Sequence, residues 1–395
     1  MAAIDTLLFL TFRPLADFEK KRYDFDRIRE RGFEIRILNI SNIIHARISL
    51  GVTSDSESVI VTDRAAFQEY LFAHRDRAIL IDCIAHLVDY DLDNEFLYRI
   101  IKKINIRYVI VYPGGLPYEQ KSFFKRMLWR MRVLFHLRQW LIFFSRRVTR
   151  ILRRHTSLYP RPEVVFSSNT QIIADYVKRV GRRGERMIPI GSFDYDLYLE
   201  QKRNFEKVPP QPYCVYLDEA ATHHPEYALT DNDPLDAKDY YPVMNAFFDR
   251  IENEMGVHVI IAAHPRASYD RFPGVFGTRQ ILKGRTANLV SSARFVIAHA
   301  STSVSLAVIC KKPVILVGFR AYDRNLMGSL PPQLARHLGT RVLRIDRPYT
   351  LSDIKKLSMQ YDVQHYKDYL STYITYPGNT KRMVDIILDT FDAMV

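Results

Sequence analysis

The chain belongs to the α/β class, with two parallel sheets each covered by helices on both faces. Three observations predict this. Short apolar runs bounded by turn residues alternate with helix-period segments through most of the chain, and strand–helix alternation implies parallel sheets. The segment Gln201–Pro212, QKRNFEKVPPQP, is polar and proline-rich and reads as a linker, after which the alternation starts again. The length of 395 residues, 47% hydrophobic, suits two cores of ordinary domain size.

In the first half, strands are expected at Thr6–Thr11, Glu34–Ile40, Ser58–Val61, Ala78–Cys83, Arg107–Tyr112 and Glu163–Ser167. Helices are expected near Leu15–Arg31, Arg64–His74, Leu92–Ile104 and Thr170–Val180. The second half offers strands at Tyr213–Leu217, His258–Ala262, Phe295–His299, Val314–Val317 and Arg341–Ile345, with helices at Lys238–Met255 and Thr302–Cys310. The resulting division is residues 1–200, residues 213–378, and a last helix within 379–395 that folds back onto the first domain. Met1–Leu10 contains Asp5, has no basic start and reads as a first strand rather than a signal peptide. No apolar run has the length of a membrane span. The three cysteines, Cys83, Cys214 and Cys310, stand apart in apolar surroundings, as free thiols in a reducing cytoplasm would.

The formal charge of +13 is concentrated: Lys121 to Arg154 holds eleven Lys and Arg and no Asp or Glu. There the cations alternate with Phe124, Leu128, Met131 and Phe135, then Leu141, Phe144, Val148 and Ile151, and both tryptophans, Trp129 and Trp140, fall inside. Residues 121–155 therefore read as an amphipathic insertion suited to an anionic membrane surface. A helix packed on the protein's own core with a solvated basic face is the alternative, and no nucleic-acid motif accompanies the segment.

No GxGxxG, GxxxxGK[ST] or HExxH is present, which turns attention to the strand ends. Tyr213–Leu217 delivers Asp218 and Glu219, a carboxylate pair suited to a general base or, equally, to a solvated strand tip. Val259–Ala263 ends in His264, Pro265 and Arg266, which suit a phosphate or a structural turn. After Phe295–His299 come Ser301, Thr302 and Ser303, either a phosphate cradle at a helix N-terminus or simple caps. Lys283 and Arg285, in LKGRT, are further candidate cations, and His223 and His224 follow the acidic pair. Gly114 and Gly115 close a first-half strand where an acceptor could approach. No metal site is expected, since Asp231-Asn232-Asp233 runs into a proline and reads as a loop.

The succession from Asp218 to Ser303 resembles the donor domain of GT-B glycosyltransferases that use CMP-activated acidic sugars, the sialyltransferase-like and Kdo transferase-like enzymes. Those families carry an acidic pair followed by Gly, then a His-Pro motif, then a Ser-Ser/Thr motif; here Ala220 stands at the Gly position. The resemblance implies two Rossmann-like domains facing a central cleft. It makes Asp218 the general base, with Glu219 as its neighbour or substitute, and gives His264 a role in CMP departure. Pro265, Arg266, Lys283, Arg285, His299, Ser301, Thr302 and Ser303 would then line the donor site. Many UDP-sugar GT-B enzymes carry a ribose-binding Glu early in the last donor-site helix, whereas this helix reads SVSLAVIC. The expected reaction is metal-independent transfer of a nonulosonic acid or Kdo from a CMP-sugar to a membrane-associated, lipid-linked glycan in surface polysaccharide synthesis. It would take place on the inner face of the bacterial cytoplasmic membrane, with no cofactor and no nucleic acid. The alternatives are a UDP-sugar GT-B transferase or epimerase, and a non-catalytic membrane-bound scaffold.

Overall fold

A computed structural model describes residues 4–44, 56–84, 95–117, 144, 148, 160–179, 186–203, 212–224, 227, 233–324 and 326–394. The basic insertion 121–155 lies outside the described residues except for Phe144 and Val148, both helical and exposed. His45, His86 and most of the 201–212 linker also fall outside them.

The chain forms two units. The first comprises Met1–Pro113, Glu119–Ile190 and Thr380–Val395, and the second Gly114–Tyr118 and Gly191–Asn379. In the first unit, strands β1 (Thr6–Thr11), β2 (Glu34–Asn39), β3 (Ser58–Ile60), β4 (Ala78–Asp82), β5 (Arg107–Tyr112), β6 (Val164–Ser167) and β7 (Met187–Pro189) make one parallel sheet in the order β3-β2-β1-β4-β5-β6-β7. The central strands are buried along their whole length, as a sheet covered on both faces requires. Leu8, Leu10, Leu38, Phe67, Leu71, Leu80 and Ile101 form the core on one face. On the other, the C-terminal helix Met383–Asp392 brings Met383, Val384, Ile387 and Leu388 over Leu7, Phe9, Ile81 and Val111. Phe391 meets Phe166 edge-on at 6.2 Å, and Asp385 and Asp389 pair with Arg27 and Arg31.

The long helix expected at Leu15–Arg31 is two short ones, Asp17–Arg22 and Phe25–Glu30. Asp24 breaks it: at φ +50° it is left-handed, and its side chain caps the second helix by accepting the Arg27 N–H.

In the second unit, β8 (Tyr213–Leu217), β9 (His258–Ala263), β10 (Ile281–Lys283), β11 (Val296–Ala298), β12 (Val314–Gly318) and β13 (Val342–Arg344) form a parallel sheet ordered β10-β9-β8-β11-β12-β13. Alternation along β8 assigns its two faces. Tyr213, Val215 and Leu217 join the core around Leu289, Val304, Leu306 and Ile374, whereas Cys214 and Tyr216 join the core around Met244, Phe248, Phe276 and Phe319. The first domain ends earlier than the sequence implied. Helix Phe193–Arg203 belongs to the second unit because Tyr195 and Tyr198 pack against that unit's core, a choice made by tertiary burial that the polar linker after it does not reveal. Leu116, just beyond Gly114 and Gly115, packs on the same core.

Cys83 and Cys214 are buried and Cys310 is half-buried; all three are free thiols. Burial pushes the Cys83 pKa up to about 12, which leaves it a poor nucleophile at neutral pH. Among the described residues no helix is long and apolar enough to cross a membrane.

Candidate functional site

In the second sheet the chain winds outward from β8 through β9 to β10, then returns beside β8 to start β11 and winds the other way. The carboxyl ends of β8 and β11 therefore flank the point where the winding reverses, the place where open α/β sheets bind ligands. Because all six strands are parallel, Asp218 and Glu219 after β8, His264 after β9, and Ala300 and Ser301 after β11 lie along one edge.

The two carboxylates differ sharply. Asp218 is buried, 4% exposed, and its carboxylate serves the backbone: Oδ1 accepts the Ala220 N–H at 3.0 Å and Oδ2 the His264 N–H at 3.1 Å. It thus ties the tips of β8 and β9 together. Burial raises its pKa, opposed by the Tyr269 hydroxyl, the two backbone donors and His223. The role of base expected of Asp218 meets an obstacle here, since a side chain enclosed in this way presents no open face to a substrate. Ala220 has φ +50°, so the turn after the pair needs a left-handed residue. That is the conformation glycine adopts most easily, and alanine enters it at a cost of about 1 kcal/mol.

Glu219 is partly exposed and points to β11. Its Oε1 accepts the Ala300 N–H, and its Oε2 accepts the Tyr322 hydroxyl at 2.8 Å. Burial pushes its pKa up to about 7; the two hydrogen bonds pull it down and the Asp218 charge adds to the rise. Near neutral pH this carboxyl is poised between its two protonation states, as a general base or acid must be.

His264 is half-buried. Its Nδ1 accepts the Arg266 N–H at 3.2 Å, so in the neutral ring the proton sits on Nε2. The His224 ring meets it edge-on at 4.6 Å. His223 instead meets Tyr269 edge-on at 5.1 Å and Phe272 at a tilt at 4.9 Å, and its Nδ1 joins Thr222, whose hydroxyl meets that of Tyr241 at 2.9 Å. The loops after β8 and β9 are thereby bound by ring contacts as well as by Asp218. Pro265 and Arg266 are half-buried beside His264.

Ser301, Thr302 and Ser303 form a turn ahead of the helix Val304–Ile309, which is shorter than the Thr302–Cys310 expected. The Ser303 hydroxyl makes no capping bond, while Ser301 Oγ accepts the Ser303 N–H at 3.3 Å. Local capping therefore accounts for Ser301 but not for the Ser303 hydroxyl.

Lys283 ends the edge strand β10, and its ammonium donates to the Ala267 carbonyl at 3.1 Å, bracing the loop that carries His264. Arg285 occupies the N-cap position of helix Thr286–Ser292. His299 corrects the expectation of donor contact. It is fully buried, donates from Nδ1 to the Val317 carbonyl at 2.7 Å, and stacks on Tyr322 with ring centroids 4.1 Å apart. Burial pulls its pKa down to about 4, so it is a neutral core group. Gly114, at φ +154°, and Gly115 are half-buried at the start of the second unit's first segment. Among the described residues no group of three or more His, Cys, Asp or Glu could hold a metal ion. Sequence reasoning missed Tyr322 and the Ala300 N–H. The one available signal for Tyr322 is its position four residues past the end of β12, where Phe319, Arg320 and Ala321 separate it from the strand.

The two parallel-sheet domains define the GT-B fold. Among solved structures, the calicheamicin glycosyltransferase CalG4 is similar over 99% of both chains, with TM-score 0.54 and 12% identity. The kitacinnamycin glycosyltransferase matches over 98% of this chain and 99% of its own, with TM-score 0.52 and 11% identity. SnogD from Streptomyces nogalater matches over 99% and 100%, with TM-score 0.51 and 9% identity. No protein-family model and no curated protein sequence matches the chain.

Proposed function

We propose that the protein is a glycosyltransferase that binds a nucleotide-activated sugar at the strand ends of its second unit. One observation carries this reading: Glu219, a partly exposed carboxyl with its pKa raised to about 7, stands at the sheet's winding reversal with both oxygens held by fixed donors. Glu219 takes the proton of the acceptor hydroxyl as its oxygen attacks the anomeric carbon and the bond to the leaving phosphate breaks. His264 offers its Nε2–H to that phosphate, and Ser301, Thr302, Ser303 and Arg266 receive its oxygens.

Two donor readings rest on different observations. The order of acidic pair, His-Pro and Ser-Thr-Ser supports a CMP-activated nonulosonic acid or Kdo, as does the absence of a carboxylate from the helix Val304–Ile309. The likeness to the solved glycosyltransferases above is one of fold, and it fits equally the second reading, a UDP-sugar transferase or a GT-B epimerase. Titrating purified protein with CMP, CDP, UMP and UDP in EDTA separates them. Tightest binding of CMP, weakened at least about 10-fold in His264→Ala by loss of a charge-assisted bond, selects the acidic-sugar donor. Tightest binding of UDP selects the second reading, and no binding of any nucleotide discards the transferase for the scaffold.

The acceptor in this proposal is a membrane-associated glycan, and its support is the sequence of residues 121–155. Co-sedimentation with phosphatidylglycerol vesicles, and not with phosphatidylcholine vesicles, is the expected outcome. Replacing Arg146, Arg147, Arg150, Arg153 and Arg154 by Gln should weaken it more than about 100-fold, at about 1 kcal/mol per cation. Equal binding by the variant would remove the membrane from the proposal.

A further inference from the structure

We infer that Tyr322 is the positioning residue for Glu219, held in place by the buried ring of His299. The inference rests on the reading of Glu219 as the base, and it reaches past that reading to the group that sets the base's direction and charge.

Tyr322 lies on the short helix Arg320–Asp323 that follows β12, over 100 positions along the chain from the carboxylate it serves. It is 1% exposed, so its hydroxyl does not turn toward water, and it donates to Glu219 Oε2 at 2.8 Å. The ring cannot swing away: it stacks on His299 at an interplanar angle of 16°, with Phe319 packed against both. His299 in turn is fixed to the sheet, since its Nδ1–H bonds to the Val317 carbonyl of β12. A chain of rigid contacts therefore runs from the β12 backbone through His299 and Tyr322 to one oxygen of Glu219. The Ala300 N–H, at the end of β11, holds the other. A carboxylate has about four lone-pair sites. The two donors use one on each oxygen and leave the remainder for an acceptor hydroxyl.

The same contact sets the charge. The groups bearing on Glu219 are Asp218 beside it, the Ala300 N–H from β11, the Tyr322 hydroxyl from beyond β12, and the buried hydroxyls of Tyr216 and Tyr240. Asp218 opposes ionisation of Glu219, and burial keeps Tyr216 and Tyr240 protonated. His299 is kept neutral by burial and contributes no compensating cation. Among the described residues, the Tyr322 hydroxyl is thus the one side-chain donor that stabilises the ionised form. A Tyr322 that merely filled space would leave the titration of Glu219 unmoved when its hydroxyl was removed.

The test is an NMR titration of full-length protein labelled with [13C]carboxyl glutamate, the Glu219 signal being the one lost in Glu219→Gln. In Tyr322→Phe the midpoint should rise by about one pH unit relative to the wild type, the effect of one hydrogen bond to a charged group. Installing a fluorinated tyrosine at position 322 keeps the ring and makes the hydroxyl a stronger donor, so the midpoint should fall. This second variant serves if Tyr322→Phe does not fold. An unmoved midpoint in either folded variant overturns the inference. If the midpoints move as expected but no nucleotide-sugar is turned over, the positioning contact stands and the transferase reading fails. If turnover is found, the acid limb of the kcat profile should follow the midpoint while the donor KM stays within about 2-fold, since the lost contact acts on the base.

Discussion

Glu219→Gln should lower kcat by about 1,000-fold or more with the nucleotide-sugar that the titration selects, while nucleotide affinity stays close to that of the wild type. The amide cannot accept a proton, and general bases contribute about 100- to 10,000-fold. The neighbouring Asp218 does not take over, because its side chain is buried at 4% exposure while Glu219 is partly exposed. The same substitution should stabilise the protein at alkaline pH. A carboxyl whose folded pKa is raised from 4.5 to about 7 is harder to ionise in the folded than in the unfolded chain. Its contribution to stability is complete below pH 4.5 and is lost as pH rises through about 7. Gln, neutral at every pH, escapes that loss. Urea unfolding should therefore find the variant more stable than the wild type at pH 8, by about 2 kcal/mol after allowance for partial exposure, and nearly equal at pH 4.5. A variant of unchanged kcat would exclude Glu219 as the base, and one with no pH-dependent gain in stability would exclude the raised pKa.

Asp218→Ala should act the other way, on the fold first. It leaves the buried Ala220 N–H and the partly buried His264 N–H without their acceptor, and such a loss costs about 1–3 kcal/mol for a buried group. Relief of the carboxylate's own burial penalty offsets part of this, so a net loss of about 3 kcal/mol is expected in denaturant unfolding. The tip of β9 would loosen with it, and nucleotide binding through His264 should weaken although His264 is intact. Asp218→Asn keeps one acceptor oxygen and should fall between the two. If Asp218→Ala is as stable as the wild type but inactive, the assignment of Asp218 to structure and Glu219 to chemistry would have to be exchanged.

Much of this molecule was legible in its sequence. β1, β4, β5, β8, β9 and β12 are largely apolar runs because a strand covered on both faces buries nearly all of its side chains, Arg107 at the start of β5 and His258 at the start of β9 excepted. β7 and β10 were not legible: each is three residues long at a sheet edge and only partly buried, so neither leaves an apolar run. The polar strand ends were readable for a related reason. Asp218, Glu219, His264 and Ser301–Ser303 interrupt apolar runs at the point where strands leave the core, and in a parallel sheet all such points share one edge.

By itself, then, the sequence determined two α/β domains and the set of polar groups on the second sheet's carboxyl edge, because burial of alternating elements writes itself into local patterns. Only the tertiary structure decided what each group does. Adjacent in the chain, Asp218 and Glu219 part company because one meets the backbone of β9 and the other meets Ala300 and Tyr322. His299 lost its expected ligand role because Tyr322 covers it. The helix Phe193–Arg203 joined the second unit because Tyr195 and Tyr198 find their apolar partners there. Each of these outcomes depends on residues distant in sequence, and on desolvation by neighbours that no local pattern encodes.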